Sequence, residues 1–250
     1  IDVFESIKLY TAQVAFKVSN ALVVSGKGGL GKTSEIENTL NEIRADYVPI
    51  SGDISTAGLY ELLFLNHDKL IVMDDIDAVF KDENSINLLK AVLDTKPNRQ
   101  VSRSMKSYFD SSNMTMKEIW SEYKSKQVLP KQFTFTGRII FITNKPGTEL
   151  DPALITRCLF VDVDPSKEDI IKRMYDISKK IQPNISQDIK DSVIEFMVAL
   201  DERYQMKFEL NLRTFVHCLN IRIANNLNIL VNGETVPAWL MLIKSYLIKK

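Results

Sequence analysis

Residues 26–33 constrain this chain more than any other stretch. They read Gly26-Lys27-Gly28-Gly29-Leu30-Gly31-Lys32-Thr33, and they satisfy G-x-x-x-x-G-K-[ST]. An apolar run over 21–25 precedes them and an amphipathic stretch over about 32–44 follows, so the motif sits in the strand–loop–helix setting it requires. Glycines let the backbone turn tightly enough for several N–H groups to face one anion. The helix start adds a favourable dipole. A chain built around such a loop is expected to be α/β.

The loop assigns roles to its own residues. Gly26, Gly28, Gly29 and Gly31 shape the cradle. Lys32 is expected to reach the β- and γ-phosphates of a nucleotide, and the Thr33 hydroxyl to ligate Mg2+. Ser34 completes the binding set at the helix start, and Lys27 takes no role. Further on, Leu70-Ile71-Val72-Met73-Asp74-Asp75 is an apolar strand ending in two carboxylates. Asp74 is placed to hold the metal ion through water. Asp75 is placed to orient or deprotonate the attacking water. Asp77 reads as helix-capping or structural.

Short apolar runs over 21–25, 47–50, 70–73, 139–143 and 159–163 alternate with helical stretches over about 32–44, 56–65 and 85–93. Continuous apolar runs suit strands buried on both faces, so a parallel sheet wrapped by helices is expected. Asp164-Pro165-Ser166 breaks the rhythm, and Ser166 with Asp169 resembles a capping box. Beyond it the chain reads as helices over about 167–181, 189–204, 212–226 and 237–248, with a turn at Asn232-Gly233. Two domains are expected: an α/β nucleotide-binding core over 1–164 and a helical lid over 165–250. The apolar stripe of the last helix, from Trp239 to Leu247, reads as lid core.

Residues 96–136 are polar, weakly periodic and long for a connection, which marks a functional or mobile insertion. From Lys96 to Lys131 there are eight Lys or Arg against three Asp or Glu, a local charge of +5. The whole chain, by contrast, carries 32 basic and 32 acidic residues. That balance gives no global case for nucleic acid or an acidic membrane. No apolar run reaches the roughly 18 residues that span a bilayer, and the N-terminus has no secretory pattern. The first residue is Ile1 rather than methionine, which leaves room for a preceding segment. Cys158 and Cys218 lack metal-ligand spacing and read as buried thiols in a reducing compartment. His67 and His217 form no triad or metal cluster, and His217 reads as a packing residue.

With these motifs in order, residues 15–226 resemble the AAA+ superfamily of ring-forming ATPases. Phe141-Ile142-Thr143-Asn144 looks like sensor 1, which implies that Asn144 positions the water near the γ-phosphate. Asp151-Pro152-Ala153-Leu154-Ile155-Thr156-Arg157-Cys158 is similar to the arginine-finger segment, and its Thr-Arg-Cys ending to the Ser-Arg-Cys of clamp loaders. By resemblance Arg157 reaches the ATP of a neighbouring subunit and neutralises charge that develops in phosphoryl transfer. Asn211-Leu212-Arg213-Thr214 matches sensor 2, which implies that Arg213 touches the phosphates from the lid. The resemblance implies ATP and Mg2+ as cofactors and a ring, normally a hexamer, with a pentamer or open spiral as alternatives. Asn144-Lys145-Pro146-Gly147 lacks the aspartate of a guanine-reading Asn-Lys-x-Asp.

Two features depart from the superfamily. Asp75 stands where glutamate is usual, which implies slower hydrolysis. Ser51-Gly52-Asp53-Ile54-Ser55-Thr56 lacks the aromatic of protein-threading machines. Phe133-Thr134-Phe135-Thr136-Gly137-Arg138 resembles a pattern in small phage-type AAA+ ATPases, which implies a phage-encoded protein in the host cytoplasm.

The first functional expectation is a DNA-linked motor or loader in replication or recombination. In it, segment 96–131 binds phosphates and Trp120, Tyr108 and Phe109 stack on bases. A protein-remodelling ATPase acting on a partner protein and a nucleotide-gated scaffold with slow hydrolysis stay open beside it. A nucleotide kinase leaves Asn144, Arg157 and Arg213 unexplained.

Overall fold

The computed structural model describes residues 2–231 and 233–249. Helix α1 (Val3–Ala15) is capped by Asp2, whose side chain accepts from Phe4 N and Glu5 N. Strand β1 (Ala21–Gly26) leads into α2 (Lys32–Glu42), β2 (Val48–Ser51) into α3 (Thr56–Leu65), and β3 (Leu70–Asp74) through a short 3-10 turn into α4 (Glu83–Val92). Then come β4 (Arg99–Ser102), α5 (Met116–Lys126), β5 (Gln132–Phe135), β6 (Arg138–Ile142), α6 (Pro152–Ile155) and β7 (Leu159–Val163). Helices α7 (Lys167–Ser178), α8 (Gln187–Arg203) and α9 (Leu212–Ala224) follow, then β8 (Asn228–Val231), β9 (Glu234–Pro237) and α10 (Ala238–Leu247). The turn expected at Asn232-Gly233 falls partly outside the described residues, since Asn232 is not among them; β8 and β9 pair across it as an antiparallel hairpin.

Five strands form a sheet in the order β2-β3-β6-β1-β7, all parallel. The chain is therefore α/β, with a parallel sheet flanked by helices. β1 lies between β6 and β7, and all six of its residues are buried. This is why it reads as an uninterrupted apolar run. β2 sits at the edge, where Pro49 costs little because its missing N–H need not feed a second neighbour.

The chain divides into two compact units: residues up to Lys27 with Lys32–Val163, and Gly28–Gly31 with the residues from Asp164 onward. The core of the first joins Val23, Ile71, Met73, Ile139 and Phe141 of the sheet to Leu59, Leu63, Phe64, Leu88 and Leu89 of α3 and α4. The core of the second gathers Met174, Val193, Met197, Phe215, Leu219, Ile243 and Leu247 from its helices. Ser166 and Asp169 form the capping box of α7. On α9, His217 is exposed beside the Tyr246 ring at 6.2 Å and is not a buried packing residue.

The polar insertion folds as structure in its own right. β4 and β5 pair antiparallel, and α5 lies between them in sequence under a Thr115–Glu118 capping box. Phe133, Phe135, Val101 and Ile119 are buried in the first unit's core. Trp120 stacks on Phe64 at 5.0 Å and Tyr108 on Tyr60 at 5.6 Å, while Phe109 packs against the same core. These aromatics hold the insertion to the sheet, which corrects the expectation that they stack on bases. Arg99 is also internal: Nε donates to Phe135 O at 3.3 Å, Nη2 donates to Gly137 O, and burial lowers its pKa to about 10.

Candidate nucleotide site

Parallel pairing brings the C-terminal ends of β1, β3 and β6 to one edge of the sheet. Val24 aligns with Ile142, and Asp74 with Ile142 on the other side of β6. Whatever follows each strand therefore converges, and this edge is where open α/β sheets place ligands. β1 delivers the glycine loop, β3 delivers Asp74 and Asp75, and β6 delivers Thr143 and Asn144.

Gly26 needs its hydrogen side chain. Its φ is +137°, and a Cβ there would run into Val163 O of the neighbouring strand. Gly29, at φ +81°, accepts a bond from Leu212 N at 3.0 Å and leaves no room for a Cβ against Asn211 Oδ1 at 2.8 Å.

Lys32 is only 4% exposed. Its Nζ donates to Gly26 O at 2.5 Å, Lys27 O at 2.8 Å and Asn144 Oδ1 at 3.2 Å. A buried ammonium survives because oxygens surround it. Asn144 Nδ2 in turn donates to Asp75 Oδ1 at 2.6 Å. One amide thus links the loop lysine to the second carboxylate. Asp75 has φ +55°, a left-handed conformation that Asp tolerates better than most residues. Beside them, Thr33 Oγ1 donates to Asp74 Oδ2 at 2.7 Å.

Sequence reasoning missed a supporting pair. Thr143 is buried, and its Oγ1 donates to Asp77 Oδ1 at 2.6 Å. This ties the end of β6 to the segment after β3, next to Asn144 and Asp75. Asp77 caps no helix; its part is this tie, the structural half of what was expected of it. Ser25 Oγ makes a second tie, donating to Lys145 O at 2.8 Å and Asp162 Oδ1 at 3.1 Å. Their signal was faint: hydroxyl residues at the ends of apolar strands.

The structure thus brings together Lys32, Thr33, Asp74, Asp75 and Asn144, and Ser34 is exposed on the first turn of α2. Arg157 lies two residues past the end of α6, and its Nη1 donates to Ala153 O of that helix. Arg213 is the exposed second residue of α9, in the second unit. Among the described residues, no group of three His, Cys, Asp or Glu is clustered to hold a metal ion. One hydroxyl and one carboxylate, Thr33 and Asp74, fit a Mg2+ that takes its other ligands from phosphates and water.

Several variants of Thermotoga maritima RuvB have a similar structure. One aligns over 88% of this chain and 61% of its own at a TM-score of 0.53 and 12% identity. Another aligns over 97% and 67%, again at a TM-score of 0.53 and 12% identity. RuvB is an AAA+ ATPase. This chain has the AAA+ fold. In sequence, this chain is 33% identical over 174 residues to an uncharacterized 36.7 kDa protein of Enterobacteria phage T4 from the nrdC-mobD intergenic region. The match takes in 63% of this chain and about half, 49%, of the T4 protein. No protein-family model matches. No helix among the described residues is long and apolar enough to cross a membrane.

Proposed function

We propose that this AAA+ chain binds Mg2+-ATP at the loop and hydrolyses it in a ring, normally a hexamer, in which a neighbouring protomer supplies Arg157. The observation that carries the reading is the convergence of Lys32, Thr33, Asp74, Asp75 and Asn144 on one sheet edge, joined by hydrogen bonds. Lys32 would exchange its carbonyl partners for phosphate oxygens. Thr33 and Asp74 would hold Mg2+, which neutralises charge on the β- and γ-phosphates. Asp75, held by Asn144, would accept a hydrogen bond from the attacking water. Arg213 would read the phosphates from the second unit. In this reading residues 165–250 serve as the lid, and residues 1–164 form the nucleotide core.

The work is proposed to be on DNA. RuvB is a Holliday junction branch migration motor, but 12% identity carries the fold and not the substrate. Support from this chain is the basic segment 96–131, in which Arg99 is internal and the other seven cations reach the surface. The T4 relative suits a phage-encoded protein in the host cytoplasm. Fluorescent ATP-analogue binding and steady-state phosphate release test the nucleotide reading together. Lys32→Ala is expected to abolish both, and wild-type binding by that variant would refute the site.

A further inference from the structure

The sheet of β4 and β5 has two edges, and the chain treats them differently. Pairing aligns Arg99 with Phe135, Val101 with Phe133 and Ser102 with Gln132. Arg103 N donates to Lys131 O at 2.8 Å, one step further along the same register. Hydrogen-bonded and non-hydrogen-bonded pairs alternate along an antiparallel ladder. Arg99, Val101 and Arg103 therefore turn their backbone groups towards β5. Gln100 and Ser102 turn theirs outward, as Gln132 and Thr134 do on the far side.

On β5 the outward groups are met by side chains. Ser111 Oγ donates to Gln132 O at 2.7 Å and accepts from Gln132 N at 3.0 Å. Met116 Sδ accepts from Thr134 N at 3.3 Å. On β4 they are open. Gln100 and Ser102 are exposed, and among the described residues no other element hydrogen-bonds their backbone N–H or C=O groups. An uncovered strand edge is a template for another strand. Room for one lies beside it, in a cleft of about 480 Å³ with Ser102 and Met105 on one side and Asn84, Asn87 and Leu88 of α4 on the other.

We propose that β4 takes up an extended, acidic segment of a partner protein as a further strand. Main-chain bonds to Gln100 and Ser102 give the affinity, and an alternate side chain enters the cleft. Two observations choose this occupant. The edge presents acceptors as well as donors. A nucleic-acid phosphate offers only acceptors, whereas another peptide backbone matches both. Residues 95–109 also hold four cations, Lys96, Arg99, Arg103 and Lys106, and no Asp or Glu. Arg99 is internal, and the exposed Lys96 and Lys106 flank β4. That charge favours carboxylates on the incoming strand and opposes a second copy of β4, since two like-charged edges would meet. The inference rests on neither nucleotide hydrolysis nor DNA binding.

The probe is a labelled peptide of alternating Glu and Val, followed by fluorescence anisotropy on the whole chain. It is expected to bind, and a counterpart of alternating Lys and Val to bind about 10-fold more weakly or not at all. Ser102→Pro removes one outward N–H and no ladder bond, a change that an edge strand tolerates. It should weaken binding about 10-fold at an unchanged melting temperature. Methylating the amide nitrogens of the acidic peptide leaves the protein untouched and should abolish binding, so it decides the matter if Ser102→Pro lowers the melting temperature. No binding of the acidic peptide, or equal binding of its methylated form, would overturn strand addition. Self-association of the wild type that Ser102→Pro abolishes would give the edge to a second copy. Oligothymidylate binding that Ser102→Pro abolishes would give it to DNA. Either result would overturn the acidic partner.

Discussion

Asn144 makes two hydrogen bonds of opposite sense, accepting from Lys32 and donating to Asp75. A carboxamide can do both at once, because its oxygen accepts and its nitrogen donates. Asp75 meets it from a left-handed backbone, φ +55°, which an aspartate carboxylate can support locally and a longer side chain supports less well. This bears on the aspartate standing where the superfamily has glutamate. The backbone and the Asn144 bond are shaped for the shorter side chain. Asp75→Glu is therefore expected to lower steady-state turnover roughly 10-fold, in line with about 1–2 kcal/mol of added strain or misplacement. Turnover above wild type would instead mean that the aspartate attenuates the site. The polar ends of β3 and β6 were legible residue by residue, because apolar runs that stop at Asp or Asn are conspicuous. The Thr143–Asp77 tie was not, since nothing in linear order pairs a hydroxyl with a carboxylate 66 positions away.

Helix α6 shows how an element of four residues is held in place. Asp151 caps it by accepting from Ala153 N at 2.7 Å, and its other oxygen meets Lys90 Nζ of α4, also at 2.7 Å. The Lys90 bond first, then the backbone bonds, hold the Asp151 carboxyl below its ordinary value. For an acid depressed in the folded state, the stabilisation is present above the unfolded value, about 3.9, and is lost as pH falls through the folded one. Asp151→Asn should therefore lower the melting temperature at pH 7, and the gap should close below about pH 4. A gap that does not change with pH would show that the charge plays no part. Because Arg157 lies two residues past α6, the same variant should slow hydrolysis without weakening ATP binding. At this scale the sheet strands and helices α2, α3 and α7 were readable from periodicity and caps. The 96–136 insertion was not. Its buried residues, Val101, Ile119, Phe133 and Phe135, are spaced too far apart to make a local pattern, and they become a core only once α3 and the hairpin meet. Helix α1 went unread although Asp2 caps it and Phe4, Ile7, Thr11 and Val14 line its buried face. Of the β8–β9 hairpin only the Asn232-Gly233 turn was read, because each strand is just four residues long and mostly exposed, which leaves no apolar alternation to find.

At the scale of the whole molecule, the proposed hydrolysis needs more than one chain. Five of the expected residues converge, while Arg157 is folded back on α6. In the proposed ring, head-to-tail contacts would bring one protomer's finger segment to the next protomer's loop, and an interface of that type closes by rotation. Shared sites of this kind have a distinctive genetics. In the proposed ring, a loss of Lys32 would damage a protomer's own site, and a loss of Arg157 its neighbour's. The most direct measurement is therefore phosphate release from Lys32→Ala, from Arg157→Ala and from an equal mixture of the two, across protein concentration. Arg157→Ala alone should bind ATP and lose about 10³-fold or more in rate. The mixture should recover activity as concentration rises, toward the roughly one quarter of interfaces that combine an intact loop with an intact finger in a closed ring. An inactive mixture at every concentration, or wild-type turnover by Arg157→Ala alone, would contradict a site shared between protomers.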